Sequence, residues 1–511
     1  MRHTNPTSLI LLLLTLMGYS AAAMAEPAVN ALPTNGQVQA GDITIEQNIT
    51  ADQAVMNINQ ATERGIIHWD TFNVGEQSTV NFNQPTTKSV TLNRITTANP
   101  SQIYGKINAN GEVILENSSG IYFSPSASIE VGGITATTGH ISDEDFNNNE
   151  RRFTETNDTA VVNAGRIHAL ESHIALLAPQ VRNEGMIIAS KGDVALASGA
   201  DIHLQFNDNN RLVKVNTTPS LYNSLIENKL VVEAPGGSVI ISATALNQIN
   251  GGLIKQAGTV NVGSTTTIAK NEAGRILLTS NKIELSSESQ TLAEGTEQGG
   301  EIELAANEID VQENATVSVN ATDNGDAGSI NITANNTLNL AGELTANGAG
   351  AGTGGQVTTA APSITLGDNL NVEAQAGEAS DNARGTWQIE TAALTVDQAT
   401  ANQISETLQD TNVSVSTTAA MQQNNVAQDI TLLDGVNLIN SSSQVSQLQF
   451  IALNALNLNG SISDTQQQLI FNATGFNTIS QATHAEITAN QVSFRSDNTV
   501  TLNGVTTATG N

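Results

Sequence analysis

The sequence predicts an all-β protein folded as a parallel β-helix, a solenoid whose coils stack on one another. The pattern Asn-x-Gly-x-Ile-x-Ala begins at Asn163 and again 20 residues later at Asn183, and longer related units begin at Gly300, Gly328 and Gly355. Each unit holds two short segments in which apolar and polar residues alternate, so one side is buried and the other solvated. Stacked units bury a continuous apolar stripe that a single unit cannot. A globular β-sandwich is the alternative, but it would not need a fixed repeat.

Residues 1–25 are predicted to be a secretory signal peptide. Arg2 and His3 precede an apolar run from Leu9 to Met17, and Ala23-Met24-Ala25 is a small-residue cleavage pattern. A retained membrane helix would need about 20 apolar residues. Because no later segment of the sequence approaches that length, we expect no integral membrane protein.

The net charge limits the possible binding partners, and the cysteine content limits how the fold can be stabilised. The net charge of −30 repels nucleic acid and anionic lipid, so no nucleic-acid partner is expected. Cysteine is absent, although an exported chain passes through a compartment where disulfides form. Stability must therefore come from packing and hydrogen bonds, and no cross-link would hinder passage of an unfolded chain.

Large aromatic side chains are concentrated near the start of the chain. Aromatic residues make up 3% of the sequence, yet Trp69, Phe72 and Phe82 lie within fourteen positions. The open end of a β-helix exposes unpaired strand groups and an apolar core, so its terminal coil has to be atypical. We predict that these three residues form an amino-terminal cap. The simpler alternative is an ordinary local core cluster, of which a cap is a special case.

Three stretches depart from the repeat. His140 to Val161 is polar and aperiodic, which predicts an excursion from the rod. Ile202 to Val215 has two alternating runs around Asn-Asp-Asn-Asn, the pattern of a β-hairpin on the flank of the helix. Ala399 to Leu408 is the one stretch predicted to be helical.

The residues from Ile58 to Thr138 resemble the amino-terminal secretion domain of the two-partner secretion exoproteins, the filamentous haemagglutinin family. The matching segments are INQ at Ile58, IIHWDTFNVG at Ile66, VNFNQP at Val80, LNRI at Leu92, PSQIYGKINANGEVIL at Pro100 and GIYFSPSASIEVGGITATT at Gly120. The resemblance implies a right-handed parallel β-helix with an amino-terminal cap and extra-helical hairpins. It also implies export through an outer-membrane transporter of the Omp85 type whose periplasmic modules recognise the domain. We assign residues 26–285 to this secretion domain and residues 286–511 to a continuing β-helical shaft.

The resemblance also supplies candidate recognition residues. Family members commonly have Asn-Pro-Asn-Gly where this chain has Asn117-Ser118-Ser119-Gly120. Serine can support a turn through its hydroxyl group, but the missing proline removes some rigidity. The predicted secretion-domain motif comprises Asn117, Ser118, Ser119, Gly120, Asn83, Gln84, Pro85, Asn93 and Arg94.

No catalytic constellation is evident. Asp143, Glu144 and Asp145 lie in the excursion, and Glu301 and Glu303 alternate on one strand, so both groups are interpreted as solvated surface. His168 and His173 are interpreted as ordinary surface histidines rather than metal ligands. Few aromatic residues follow the cap, which disfavours a sugar-binding groove such as the aromatic-lined groove of a polysaccharide-cleaving enzyme. We therefore expect no enzyme, no cofactor and no metal.

The expected function is that of an adhesin-type exoprotein of a Gram-negative bacterium, secreted through the periplasm to the medium or the cell surface. Its ligand on a host or bacterial surface is unknown. One alternative is a secreted ligand-capture protein, such as a binder of a haem carrier, that uses extra-helical loops. Another is a truncated contact-inhibition exoprotein that has lost its toxin domain.

Overall fold

The structure is a computed structural model that describes residues 25–154, 156–245, 252–264, 273–379, 384–421, 427–439, 446–463, 468–473 and 478–509. The predicted signal peptide lies outside the described residues apart from Ala25. Up to residue 285 the elements are β1 Gln37–Ala40, β2 Ile43–Ile49, β3 Ala54–Gln60, β4 Arg64–Trp69, β5 Ser78–Asn83, β6 Val90–Ile95, β7 Ser101–Ile103, β8 Lys106–Ala109, β9 Glu112–Glu116, β10 Ile121–Phe123, β11 Ser128–Val131, β12 Gly133–Thr137, α1 Asp143–Asn147, β13 Arg151–Phe153, β14 Ala160–Asn163, β15 Arg166–Ala169, β16 Ile174–Leu177, β17 Gln180–Asn183, β18 Met186–Ala189, β19 Val194–Ser198, β20 Ile202–Phe206, β21 Leu212–Thr217, β22 Leu225–Asn228, β23 Val231–Glu233, β24 Ser238–Ala243, β25 Leu253–Gln256, β26 Thr259–Asn261, β27 Arg275–Ser280 and β28 Lys282–Leu285.

The remaining elements continue the same pattern. They are β29 Gln290–Leu292, β30 Glu301–Val311, β31 Thr316–Ser318, β32 Ser329–Leu340, β33 Glu343–Thr345, β34 Gln356–Ala360, β35 Ser363–Leu366, β36 Asn371–Glu373, β37 Thr386–Thr391, β38 Leu394–Val396, α2 Gln398–Thr407, β39 Asn412–Thr417, a 3₁₀ turn Ala419–Met421, β40 Ile430–Leu432, β41 Asn437–Ile439, β42 Gln447–Ala452, β43 Ala455–Leu458, β44 Ser461–Ser463, β45 Gln468–Ala473, β46 Thr478–Gln481, β47 Glu486–Ala489, β48 Gln491–Ser496, β49 Thr499–Leu502 and β50 Val505–Ala508.

Each coil contributes strands to three faces of a parallel β-helix, as β9, β10 and β11 illustrate. We call these the first, second and third faces, and each strand pairs in parallel with its counterpart one coil away. The predicted repeats set the register: Ile167 pairs with Ile187, and Ile302 pairs with Ile330. The predicted parallel β-helix is thus confirmed. Pairing runs from β25 through β28 to β30 without a break, so the boundary assigned at residue 285 stays a prediction.

The interior combines an aliphatic core with a buried ladder of amides. Asn163 donates to Asn183 at 2.8 Å, Asn183 donates to Asn228 at 2.8 Å, and Asn228 donates to Gln256 at 2.9 Å. All four side chains are buried. Because a buried amide without partners is costly, each step of the ladder favours the in-register stacking of four coils.

Helix α2 takes the place of a strand on the third face. It lies against β36 on one side and β41 on the other, in the column of third-face strands. Asp397 caps its first turn by accepting from Thr400 N at 2.9 Å. The helix predicted for Ala399 to Leu408 is confirmed.

The predicted excursion and the predicted hairpin both leave the rod at the corner between the first and second faces. Helix α1 and strands β13, β20 and β21 form what we call the extra-helical module, whose three strands pair antiparallel. Its apolar side, including Phe146 and Phe153, packs on the outer side of the first face. The excursion and the hairpin are therefore confirmed, whereas α1 was not predicted. Among the described residues no helix is long and apolar enough to cross a membrane.

Candidate recognition site at the amino-terminal end

Two antiparallel strands cover the first coil. β1 pairs with β4, and β2 pairs with β3, so the edges of the first and third faces are not left open at this end. Trp69 lies directly beneath the covering segment, since a Cβ added at Gly36 would come within 2.5 Å of the indole ring. Trp69 and Phe72 meet edge to face with ring centroids 5.6 Å apart, and both are 1% exposed. Phe82, which is 2% exposed, fills the next layer.

The structure therefore separates two parts of the predicted cap. The strands that close the end are β1 and β2, whereas the three aromatic residues fill the core directly below them. An aromatic core under a covering strand excludes water from the first coil and anchors that strand through dispersion contacts. The role of the three residues in export stays a prediction.

Asn93 completes the environment of Trp69. The Trp69 indole N–H donates to Asn93 Oδ1 at 3.0 Å, and the Asn93 amide donates to the main-chain oxygens of Thr91 and Ile114, each at 3.3 Å. Asn93 is fully buried. A buried indole N–H needs a hydrogen-bond partner. Asn93 supplies that partner, so Trp69 can be buried in the first coil without an unsatisfied donor.

Gln84 ties together the corner between the third and first faces. Its Nε2 donates to Thr91 Oγ1 and to Glu112 O, each at 3.0 Å, while its Oε1 accepts from Gly111 N at 2.8 Å. Its neighbours in the motif point outward: Pro85 is exposed, and the exposed Asn83 donates to Asn59 Oδ1 at 2.8 Å. Gln84 is thus structural, whereas Asn83 and Pro85 are available to a partner.

Arg94 fastens the extra-helical module to the rod. Its guanidinium group lies 2.9 Å from Glu116 Oε1 and 2.8 Å from Asp143 Oδ1, and it donates to Ile141 O at 2.6 Å. Glu116 also accepts from Ile141 N at 3.2 Å, and His140 Nδ1 lies 2.8 Å from Glu116 Oε1. Since Asp143 belongs to α1, one arginine holds the start of the excursion against the first face.

The Asn117-Ser118-Ser119-Gly120 segment forms a tight turn at the corner from which the module leaves. Asn117 Oδ1 accepts from Ser119 N at 2.9 Å, and Gly120 N donates to Asn117 O at 3.0 Å. Gly120 has φ of +106°, which glycine adopts without strain. Ser118 is exposed, and its carbonyl oxygen accepts from Thr159 Oγ1 at 3.1 Å. A turn therefore forms here without the proline of the family pattern.

A second buried ionic cluster was not predicted. Arg151 Nη2 donates to Glu112 Oε2 at 2.8 Å, and His173 Nε2 lies 3.6 Å from Glu112 Oε1. Burial alone would raise the pKa of Glu112, but the charge of Arg151 and the hydrogen bond from it hold that pKa below its ordinary value. Burial lowers the pKa of His173; the charge of Glu112 opposes this shift, and the charge of Arg151 adds to it. The interpretation of His173 as a surface residue was wrong, because the module covers it and leaves it 3% exposed.

The remaining charged residues behave as expected for surface groups. His168 is half-buried and lies 2.7 Å from Ser190 Oγ. Glu301 and Glu303 remain solvated and pair with Arg275 at 3.1 and 2.7 Å. Among the described residues no cluster of three or more potential metal ligands occurs.

The sequence does contain a signal for the extra-helical module, since the continuous apolar run Ile174 to Leu177 is typical of a strand buried on both sides.

The predicted motif residues are thus not one continuous site. Asn93 lies under the cap and Gln84 lies at one corner, whereas Arg94 and the Asn117–Gly120 turn face the extra-helical module. The molecule that these features define is a capped β-helix with a docked side module.

Comparison with known proteins agrees with this description. Residues 29–267 match the family model of the TPS secretion domain. The chain is 29% identical over 295 residues to a Haemophilus influenzae protein named "Heme/hemopexin-binding protein", which covers 56% of this chain and 31% of that protein. It is 37% identical over 134 residues to a second H. influenzae protein of the same name, covering 26% of this chain and 14% of that protein. The chain spans less than a third of the length of either relative.

A solved structure supports the fold. The crystal structure of the HMW1 secretion domain from H. influenzae superposes with a TM-score of 0.54 and 22% identity, covering 70% of this chain and 100% of that one. The class of protein is therefore an exported β-helical protein with an amino-terminal secretion domain. Residues 29–267 of the chain thus form a TPS secretion domain, in agreement with the resemblance to two-partner secretion exoproteins found in the sequence.

Proposed function

We propose that an Omp85-type outer-membrane transporter exports this chain from the periplasm and that the folded rod then acts as a non-enzymatic adhesin. The observation that carries the proposal is the TPS secretion domain, which includes the capped first coils. The exposed motif residues Asn83, Pro85 and Ser118 are the groups that periplasmic recognition modules would contact.

The capped end also supplies a direction for transport. The periplasm lacks ATP, so folding outside the cell is a natural source of free energy for export. Each coil of a solenoid is stabilised mainly by its neighbours. If the amino-terminal coils fold first outside, they form a template on which each emerging coil gains contacts, and retraction becomes costly.

The export step is tested by expressing the chain in a Gram-negative host with and without a candidate two-partner secretion transporter. Deletion of residues 26–285 should abolish appearance in the medium or on the cell surface, whereas deletion of residues 286–511 should not. Secretion of the chain without residues 26–285, or secretion without any transporter, would contradict the proposal.

A second candidate function is capture of a haem carrier. It is favoured by the names of the two relatives and by a cleft of about 670 Å³ in the extra-helical module, lined by His203 and Phe206 among others. Purified chain would be mixed with haem-loaded hemopexin and with haem alone. Co-elution with the carrier supports capture, whereas adhesion to cells without carrier binding supports the adhesin.

A further inference from the structure

The shaft carries a groove that the preceding functions do not use. It is about 1200 Å³ in volume and crosses successive coils along the first face, from Gly237 to Ile451. Its floor is the corner where the third face turns into the first, and outward side chains of the first-face strands line it further along.

Glycines create the concave shape. At Gly274, Gly300, Gly328, Gly355 and Gly385 an added Cβ would lie 1.7 to 2.1 Å from the main-chain oxygen of the glycine one coil earlier. Coils can stack at this corner only if no side chain is present. These glycines are therefore explained by the fold, because the main chain of the neighbouring coil fills the space that a side chain would need, and the floor of the groove is main chain at these positions.

The main-chain groups of these five glycines are already hydrogen-bonded. Their amides donate within their own coils at 2.8 to 3.0 Å, and their carbonyl oxygens accept from the next coil at 3.0 to 3.3 Å. An extended peptide binds a sheet by pairing with free main-chain groups at an edge. The five glycines lie within the stack of coils rather than at such an edge, so a peptide strand is disfavoured as the occupant of the groove.

The side chains that remain are neutral donors and acceptors. They include Ser329, Gln356, Thr386, Gln388, Asn412 and Gln447. The amides of Gln356, Gln388 and Gln447 each donate one hydrogen bond, to Gln388, Glu390 and Gln468 respectively, and each amide has a second N–H to donate. Successive coils place them about 4.8 Å apart along the rod. Hydroxyl and amide groups repeated at this spacing suit a polymer that carries hydroxyl groups on every unit.

The charge of the groove disfavours charged polymers as its occupant. The two cationic residues of the lining, Arg275 and Arg384, are balanced by Glu301 and Glu303, which pair with Arg275 at 3.1 and 2.7 Å. The groove is thus close to neutral on a chain of net charge −30, which repels polyanions and attracts polycations to its acidic faces instead.

We propose that this groove binds a neutral glycan chain lying along the rod axis. The inference deepens the proposed adhesin role and rests on it. The described lining holds no aromatic side chain, so stacking contributes nothing and affinity comes from many weak hydrogen bonds. Affinity must then rise with the length of the glycan, because each added unit meets one more coil.

The experiment uses the purified mature full-length chain, so a secretion defect cannot be mistaken for a binding defect. Binding to neutral glucan and mannan oligosaccharides of two, four and eight units, in α and β linkage, would be measured by calorimetry. Heparin oligosaccharides of matched length and a neutral Asn- and Thr-rich peptide serve as competitors. We expect at least a tenfold gain in affinity from two to eight units with one neutral series, and no binding of heparin or peptide.

Paired variants place the site. Gln356→Ala with Gln388→Ala should lower affinity for the longest oligosaccharide at least tenfold, while the circular dichroism spectrum and melting temperature stay unchanged. The matched control is Asn371→Ala, an exposed amide on the third face, which should bind as the parent does. The inference is overturned if no neutral oligosaccharide binds, if affinity does not depend on length, if heparin or the peptide binds better, or if the double variant binds normally.

Discussion

Replacing Trp69 by alanine should stop export by loosening the first coil. Trp69 is 1% exposed, and truncating a buried tryptophan costs about 3 to 5 kcal/mol. The change also leaves Asn93 Oδ1 without its indole donor, which costs about 1 to 3 kcal/mol more. A whole domain is stable by only about 5 to 15 kcal/mol, and the outer side of the first coil is covered by just the two strands β1 and β2. The first coils should therefore remain unfolded, and no template should form outside the cell.

Trp387 provides a matched control. It is also fully buried, and its indole N–H donates to Thr359 Oγ1 at 3.0 Å, but it lies in the shaft. Trp387→Ala should cost a similar free energy of unfolding without removing the amino-terminal template. Trp69→Phe should be intermediate, because it keeps most of the apolar volume and loses only the hydrogen bond.

The assay compares protein in the medium and at the cell surface with protein in the periplasm by immunoblot for the parent and the three variants. Trp69→Ala should accumulate in the periplasm or be degraded there, while Trp387→Ala should be exported and show increased protease sensitivity. Normal export of Trp69→Ala would refute the template argument. Equal loss of export for both alanine variants would indicate general misfolding and would refute it as well.

Gly120→Ala should destabilise the chain by more than about 1 kcal/mol in chemical denaturation, because φ of +106° is strained for alanine. Arg151→Ala should cost about 3 to 5 kcal/mol by leaving Glu112 buried and unpaired, and limited proteolysis should then release the extra-helical module; Lys191→Ala, at an exposed pair, should change stability by less than about 1 kcal/mol. The melting temperature should fall as the pH drops from about 7 to 5, because burial lowers the pKa of His173 while the unfolded chain takes up its proton near pH 6.5. His173→Gln, which cannot be protonated, should show a smaller fall, and an equal fall would contradict this cause.

The β-helical rod could be predicted because neighbouring sequence repeats set the register of its coils. Asn163 and Asn183 lie 20 residues apart in the sequence and one coil apart in the structure, joined by a 2.8 Å hydrogen bond. The hairpin was likewise predictable, since the strands β20 and β21 are adjacent in sequence and alternate in polarity. Each of these features depends on contacts between neighbouring segments or neighbouring repeats.

The docking of the module could not be predicted in the same way. Arg64 donates to Phe146 O at 2.7 Å across 82 residues, and no repeat or local period links the two positions. His173 is buried by the same docking, because the extra-helical module covers a surface of the rod that would otherwise be solvated. Unbroken apolar runs in first-face strands, such as Ile174–Leu177 and Val194–Ala197, are the sequence feature that indicates burial on both sides.

The motif residues divide into two kinds, and the division separates folding from recognition. Asn93, Gln84 and Asn117 are buried and satisfy donors or acceptors of the first coils, so changing them alters the fold and the export together. Pro85 and Ser118 are exposed. Pro85→Ala with Ser118→Ala should therefore leave the melting temperature unchanged and lower export only if the transporter reads these side chains. Full export of that double variant would show instead that the transporter handles the motif through the folding of the coils that its buried members hold together.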